Sequence, residues 1–224
     1  MIINAIILIP EITKGMKSIG SKSLLKIKND KHIIEYQIEQ LLNINRNIKI
    51  TVATGFDHDK IHKITEKYGI NILYNPNYEN TNFGKSIDLY LKQNATAQNL
   101  LIIGSGVLFK RNTLSSNHMR HGSKIFILDK PKNNFDIGCG QGTIVEYLFY
   151  DLPDAWTECV YLDKFAIDKL KNIIQCKPIE QMYIFEIIND LLSHNIEFNK
   201  EFVPKSNFLK ITSIKDLGKA KVFI

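Results

Sequence analysis

The sequence predicts an α/β fold, a mostly parallel sheet with helices on both of its faces. Three observations carry that expectation. Short, nearly continuous apolar runs (NAIILIP, IKITVATG, INILYNP and NLLIIGSGVLF) recur through the first half, the pattern of strands covered on both sides. Between them lie segments whose apolar residues return at helical spacing. The connections are short, which favours sequential elements packing as neighbours. A chain of 224 residues with no repeat, low-complexity tract or Pro/Gly linker reads as one domain over residues 1–224.

Each element follows from local chemistry. NAIILIP is a buried first strand; it lacks the basic leader and small-residue cleavage site of a signal peptide. A polar, lysine-rich loop follows (EITKGMKSIGSKS), then LLKI as a short strand. Ile33, Ile34, Ile38, Leu41 and Leu42 mark a helix in HIIEYQIEQLLNI. IKITVATG is the next buried strand, HDKIHKITEKYG a helix stopped at Gly69, and INILYNP a further strand. GKSIDLYLKQN is helical, and NLLIIGSGVLF is a strand broken by Gly-Ser-Gly. Later come the strand SKIFILDK and a hairpin of FDIGCG and TIVEYLFYD turning tightly at Gln141-Gly142. VYLDKFAIDKLKNII and QMYIFEIINDLLSHN are amphipathic helices, IEFNKEFV and FLKITS are strands, and a helix near IKDLGKA follows.

Composition excludes more than it selects. Hydrophobic content of 44% and charged content of 23% are those of an ordinary globular protein, and no apolar run reaches membrane-spanning length. The expected location is the cytoplasm. Cys139, Cys159 and Cys176 are far apart with no CxxC pair, so they read as free thiols. The formal charge of +6 favours phosphates and other anions as ligands. Its lysines are dispersed, which sets nucleic acid aside as a partner. Abundant Lys, Asn and Ile suit AT-rich coding, as in a phage, virus or parasite.

DIGCGQG, residues 136–142, has the form of an S-adenosylmethionine-binding motif, with Asp163 placed as a ribose ligand. The surroundings argue against it. PKNN leaves no apolar strand to feed the motif, and too little chain remains after Gly142 for the rest of such a sheet. The glycines suit a hairpin, and Asp163 an early helical position.

The ordered set AIIL, KSLLKI, HIIEYQIEQL, ITVATGF, NILYNPNYENTNFGKSI and LLIIGSGVLF, continued by VEYLFYDLPDAWTECVYL and LKITSIKDLGKA, resembles the nucleotidyltransferases that make nucleotide-diphospho-sugars and CDP-choline. The resemblance spans nearly the whole chain. It implies a single-domain, Rossmann-like mixed sheet. It also implies transfer of a nucleotidyl group from a nucleoside triphosphate to a phosphorylated sugar or alcohol, with Mg²⁺ orienting the phosphates.

The motif positions depart from the family pattern. Where relatives read AAGxGxRM, this chain reads IPEITKGM. Glu11 and Thr13 replace the glycines, and Gly15 the arginine. A carboxylate repels phosphate, and a β-branched residue resists the positive φ that glycine accepts. The metal aspartates of LLLDGDVLF correspond to Gly104 and Gly106, and that of IEIDTPEDL to Thr212, with Lys210 two residues before it. None supplies a hard anionic oxygen.

Lys22 of GSKSLLKI matches the family lysine. With Lys14, Lys17 and Ser105 it forms the expected nucleotide- or phosphate-binding set. Asn82, Ser86 and Trp156 are the expected substrate-cleft residues, although Asn75, Tyr78 and Asn82 also suit turns and a lone Trp suits a core. No catalytic residue and no metal ligand is expected. The implied protein is one that has lost metal-dependent catalysis and works as a binding or assembly module. Its partner would be a nucleotide or phosphorylated small molecule, with a protein or second copy beside it. An active enzyme would need Mg²⁺ on other carboxylates, among which Glu11, Asp88, Asp129 and Asp136 are available.

Overall fold

β1 (Asn4–Ile9) is apolar along most of its length because both of its sides are covered. Ala5, Ile7 and Ile9 belong to one core cluster, and Ile6 and Leu8 to another, as strand alternation dictates. The structure, a computed structural model, describes residues 2–9, 20–45, 47–129 and 136–224.

β2 (Lys49–Thr54) and β3 (Asn71–Tyr74) extend the sheet on one side of β1. On its other side lie β4 (Leu100–Gly104), β9 (Asp154–Leu162), β6 (Ser123–Leu128) and β10 (Phe198–Val203), in that order outward. β9 runs antiparallel to both of its neighbours, and the remaining pairings along this path are parallel. α1 (Ile33–Ile44) and α2 (His58–Thr65) cover one face through Ile34, Ile38, Leu41 and Ile61. α3 (Phe83–Gln93), α4 (Lys164–Cys176) and α5 (Ile184–Ser193) cover the other through Ile87, Leu170, Ile187 and Leu191. The mixed, mostly parallel sheet with helices on both faces is the architecture that the sequence predicts.

Beyond β4 the chain turns through Ser105 and Gly106 into β5 (Val107–Phe109), which pairs antiparallel with β11 (Phe208–Lys210) in a separate ribbon. α6 (Asp216–Phe223) follows, and Ala220 joins a third cluster with Ile33, Leu108 and Ile211. Among the described residues, no helix is long and apolar enough to cross a membrane.

Three local expectations are corrected. LLKI is not a strand: a 3₁₀ turn spans Lys22–Leu24, and a lone bridge joins Lys26 to His32. VYL does not open a helix but ends β9, and α4 starts only after Asp163. The hairpin exists as β7 (Ile137–Cys139) against β8 (Leu148–Tyr150), but without a two-residue turn. Residues 140–147 are drawn across to β10, where Ile144 bridges Asn199 and Val145 N–H donates to the Phe198 carbonyl.

Candidate functional site

The chain adds β2 and β3 on one side of β1 and then returns to the other side with β4. The strand order therefore reverses between β1 and β4, and a cleft forms beyond their carboxyl ends, as open α/β sheets dictate. A cavity of about 300 Å³ lies there. Leu8, Ile102, Gly104 and Ser105 form its floor, with Lys22 beside them.

Aromatic rings form one wall. Phe83 stands 6.3 Å from Tyr183, Tyr183 is stacked on Phe185 at 6.1 Å, and Phe185 meets Tyr150 edge-on at 5.9 Å. Trp156 lines the same cavity. Its indole N–H donates to the Cys159 carbonyl at 2.9 Å, which locks the ring within β9.

β9 carries the least regular backbone of the site. Ile125 pairs with Val160 and Ile127 with Trp156, so three residues of β9 stand opposite Phe126 alone. This β-bulge places Glu158 at φ 59°, a left-handed conformation uncommon for a side chain of this kind. Thr157 Oγ1 fixes the distortion by donating to the Phe126 carbonyl at 2.8 Å.

The bulge aims Glu158 at the end of β4. Its Oε2 lies 2.6 Å from where a Cβ on Gly104 would stand. A side chain at 104 would have to displace the carboxylate of Glu158 from its present position. Gly106 is constrained as well: its φ is 75°, and a Cβ there would lie 2.9 Å from the Ile211 carbonyl and 3.2 Å from Cδ and Cε of Lys22.

A second cavity, of about 120 Å³, shares Ile137, Tyr150, Trp156 and Glu158 with the first and adds Asp136 and Lys210. The β5–β11 ladder sets Lys210 opposite Val107. Its ammonium contacts Glu158 Oε1 at 2.7 Å and Asp136 Oδ1 at 3.7 Å. Burial alone would depress the Lys210 pKa, but the charge and hydrogen bond of Glu158, reinforced by Asp136, hold it above the ordinary value.

These residues do not fit a resident magnesium ion. Gly104 and Gly106 carry no oxygen ligand on a side chain. Thr212 turns away, its N–H and Oγ1 both donating to Asp216 Oδ2 at 3.1 and 3.0 Å in the first turn of α6. The carboxylates of Glu158 and Asp136 already face an ammonium. Among the described residues, no group of three or more His, Cys, Asp and Glu side chains could hold a metal.

Of the residues singled out from sequence, the structure brings Lys22, Ser105 and Trp156 together in one cavity. Lys14 and Lys17 lie outside the described residues, as do Glu11, Thr13 and Gly15. Asn82 is not in that cavity: it precedes α3 and its Nδ2 donates to the Gln181 carbonyl at 2.6 Å. Ser86 is buried within α3. Asn75 builds a turn, accepting from Asn77 N–H and donating to Thr81 Oγ1.

Of the other carboxylates considered, Asp88 pairs with Lys92 on α3, Asp129 is exposed at the end of β6, and only Asp136 borders the cleft. Asp163 caps α4, accepting from Ala166 N–H at 3.0 Å. Glu158 and Lys210 complete the site, and their sequence neighbourhoods, WTEC and LKIT, give no hint that they meet.

The architecture matches that of several known enzymes. The CTP:phosphocholine cytidylyltransferase of Streptococcus pneumoniae superposes with a TM-score of 0.80 at 19% identity, covering 98% of both chains. A nucleoside-diphosphate-sugar pyrophosphorylase of Vibrio cholerae RC9 gives 0.77 at 12%, covering 99% of this chain and all of that one. The chain has the nucleotidyltransferase fold. An inositol-1-phosphate CTP transferase of T. maritima shares that fold, with a TM-score of 0.73 at 14% identity over 98% of this chain and 94% of the other.

In sequence, the chain is 33% identical over 97 residues to a choline-phosphate cytidylyltransferase of Streptococcus pneumoniae, strain R6. That match spans 42% of this chain and 41% of the relative. No family model matches.

Proposed function

We propose that this protein with the nucleotidyltransferase fold binds a phosphorylated small molecule in its cleft and does not carry out metal-dependent nucleotidyl transfer. One observation carries the reading. The end of β4, where the resemblance asks for metal-binding aspartates, has glycines instead, with Glu158 packed on Gly104 and Gly106 held at φ 75° beside the Ile211 carbonyl. Mg²⁺ needs several hard oxygens in octahedral array. The cleft offers it glycines and a carboxylate–ammonium cluster instead.

The rest of the cleft suits a ligand with an anionic end and an apolar or cationic end. Lys22 and Ser105 lie on the anionic side. The rings of Phe83, Tyr150, Tyr183 and Phe185 provide a surface for a base, or for an onium head group through cation–π attraction. A nucleotide and a choline phosphate both have that form. A module of this kind acts through what it binds, so a protein partner or a second copy belongs to the same reading.

The second reading is an active nucleotidyltransferase with unorthodox ligands. It is favoured by the convergence of Asp136 and Glu158 on one point of the cleft. Thermal shift with CTP, UTP, GTP, ATP, phosphocholine and CDP-choline, each with and without Mg²⁺, separates the two when paired with a pyrophosphate-release assay. Binding is expected to raise the melting temperature equally in both conditions, with no pyrophosphate. Mg²⁺-dependent stabilisation with pyrophosphate release would establish the second reading in place of the first.

A further inference from the structure

We propose that Lys210 takes the place of the cation in this cleft, and that Glu158 is its built-in counter-ion, which the phosphate of a ligand displaces. The inference rests on the reading of the cleft as a phosphate-ester site and assigns its charge chemistry to two residues.

Backbone geometry singles out Glu158. A left-handed conformation is unfavourable for a residue with a Cβ and persists where the surrounding structure imposes it. Here the imposing elements are the β6–β9 register shift and the Thr157 bond to β6. What the distortion achieves is specific: it lays a carboxylate on the end of β4, within 2.7 Å of Lys210 Nζ. A residue that merely filled space would have no need of charge, and a surface carboxylate would have no need of a bulge.

Lys210 is fixed by equally rigid structure. The residue ends β11, and the next N–H, that of Ile211, donates to the Gly106 carbonyl at 2.9 Å. Its backbone is thereby anchored at the same β4–β5 turn over which Lys22 packs. Two carboxylates, from Glu158 and Asp136, surround it.

The two carboxylates are not equivalent. Asp136 makes the longer contact and is the more exposed of the pair. Glu158 lines both cavities and is the carboxylate among the four residues that they share, whereas Asp136 lines the smaller one. An incoming phosphate carries more charge than the carboxylate and accepts the same ammonium hydrogen bonds. Exchange of one anion for the other leaves Lys210 paired throughout, and no metal enters.

Titration calorimetry of the full chain with CTP, and separately with inorganic pyrophosphate, in EDTA and in Mg²⁺, tests this. The expected wild-type affinities agree within about twofold between the two conditions. Lys210→Met is expected to weaken binding at least tenfold, and Lys210→Arg to restore most of it. Glu158→Gln is expected to tighten binding severalfold, because it removes the competing charge.

A metal ligand at 158 predicts the opposite sign, with weaker binding confined to Mg²⁺, and that result overturns the proposal. Unchanged affinity in Lys210→Met, at an unchanged melting temperature, overturns it as well. Should Lys210→Met fail to fold, the sign of Glu158→Gln still decides. If the wild type binds neither probe nor phosphocholine in any condition, the reading of the cleft itself falls, and this assignment with it.

Discussion

At the scale of single residues, Glu35 is a heavily engaged carboxylate away from the cleft. It is buried in the first turn of α1, accepts from His32 N–H at 2.8 Å, lies 2.8 Å from His32 Nδ1 and pairs with Lys67 at 2.5 Å. Burial would raise its pKa, but the His32 backbone N–H and the Lys67 ammonium outweigh this and hold it at about 2, against an ordinary 4.5. A folded-state value below the unfolded one stabilises the fold above pH 4.5, and that contribution disappears as pH falls toward 2. The shift corresponds to about 3 kcal/mol. Glu35→Gln is therefore expected to lower stability by about 2–3 kcal/mol at pH 7, with the deficit shrinking steadily in urea melts at pH 4 and pH 3. A deficit independent of pH would mean that packing, not charge, holds this corner. The spacing of Ile33, Ile34 and Ile38 predicts the helix, but nothing local announces that Lys67 and Tyr68 close over its first turn.

At the scale of elements, legibility followed the range of the forces involved. Strands buried on both faces announce themselves by composition, as NAIILIP and NLLIIG do. β9 does not, because LPDAWTEC mixes polar and apolar residues and its bulge breaks alternation at Glu158. The turn of the β7–β8 hairpin departs from its local pattern for a similar reason: within residues 140–147, Ile144 bridges Asn199 of β10, far along the chain. Helix α3 shows the same dependence on distant chain. Gly84 in its first turn abuts the turn before α5, and its N–H donates to the Met182 carbonyl at 3.0 Å. A Cβ there would stand 1.8 Å from the Ile179 carbonyl oxygen. Backbone cannot yield that far without moving the Phe83–Tyr183 wall of the cleft. Gly84→Ala is expected to cost about 2 kcal/mol or more in denaturant melts and to weaken ligand binding. Gly218, within α6 and with nothing within 4 Å of its would-be Cβ, provides the control. Gly218→Ala is expected to be neutral or to stabilise by up to about 1 kcal/mol. Equal effects at the two positions would refute the packing argument.

At the scale of the whole molecule, the cleft exists because two directions of sheet growth meet at β1, and no local pattern encodes that order. The resemblance of the ordered segments anticipated the fold and the neighbourhood of Lys22, Ser105 and Trp156. It passed through the motifs that hold Glu158 and Lys210 without pairing them, because their meeting depends on β9 and β11 being brought to one point. The cysteines offer a way to see how those parts hold together. Cys176 is exposed at the end of α4, whereas Cys139 and Cys159 are buried. Burial pushes the Cys139 thiol up to about 11 and the Cys159 thiol well up also, so both are poor nucleophiles in the folded state. Cys159 sits in β9 between β4 and β6, and its exposure requires the sheet to part. Cys139 lies on β7, off the main strand path, paired with β8 and with Asp154 of β9, and a local opening of this small sheet is expected to uncover it. In a Cys176→Ser background, thiol labelling is expected to proceed in two phases, Cys139 well ahead of Cys159. Because Ile137 and Tyr150 of the same hairpin line the cavity, CTP seated there is expected to slow the Cys139 phase more than it slows global unfolding. A ligand that protects both thiols by the same factor would act on overall stability alone, and the hairpin would then have no part in closing the cleft.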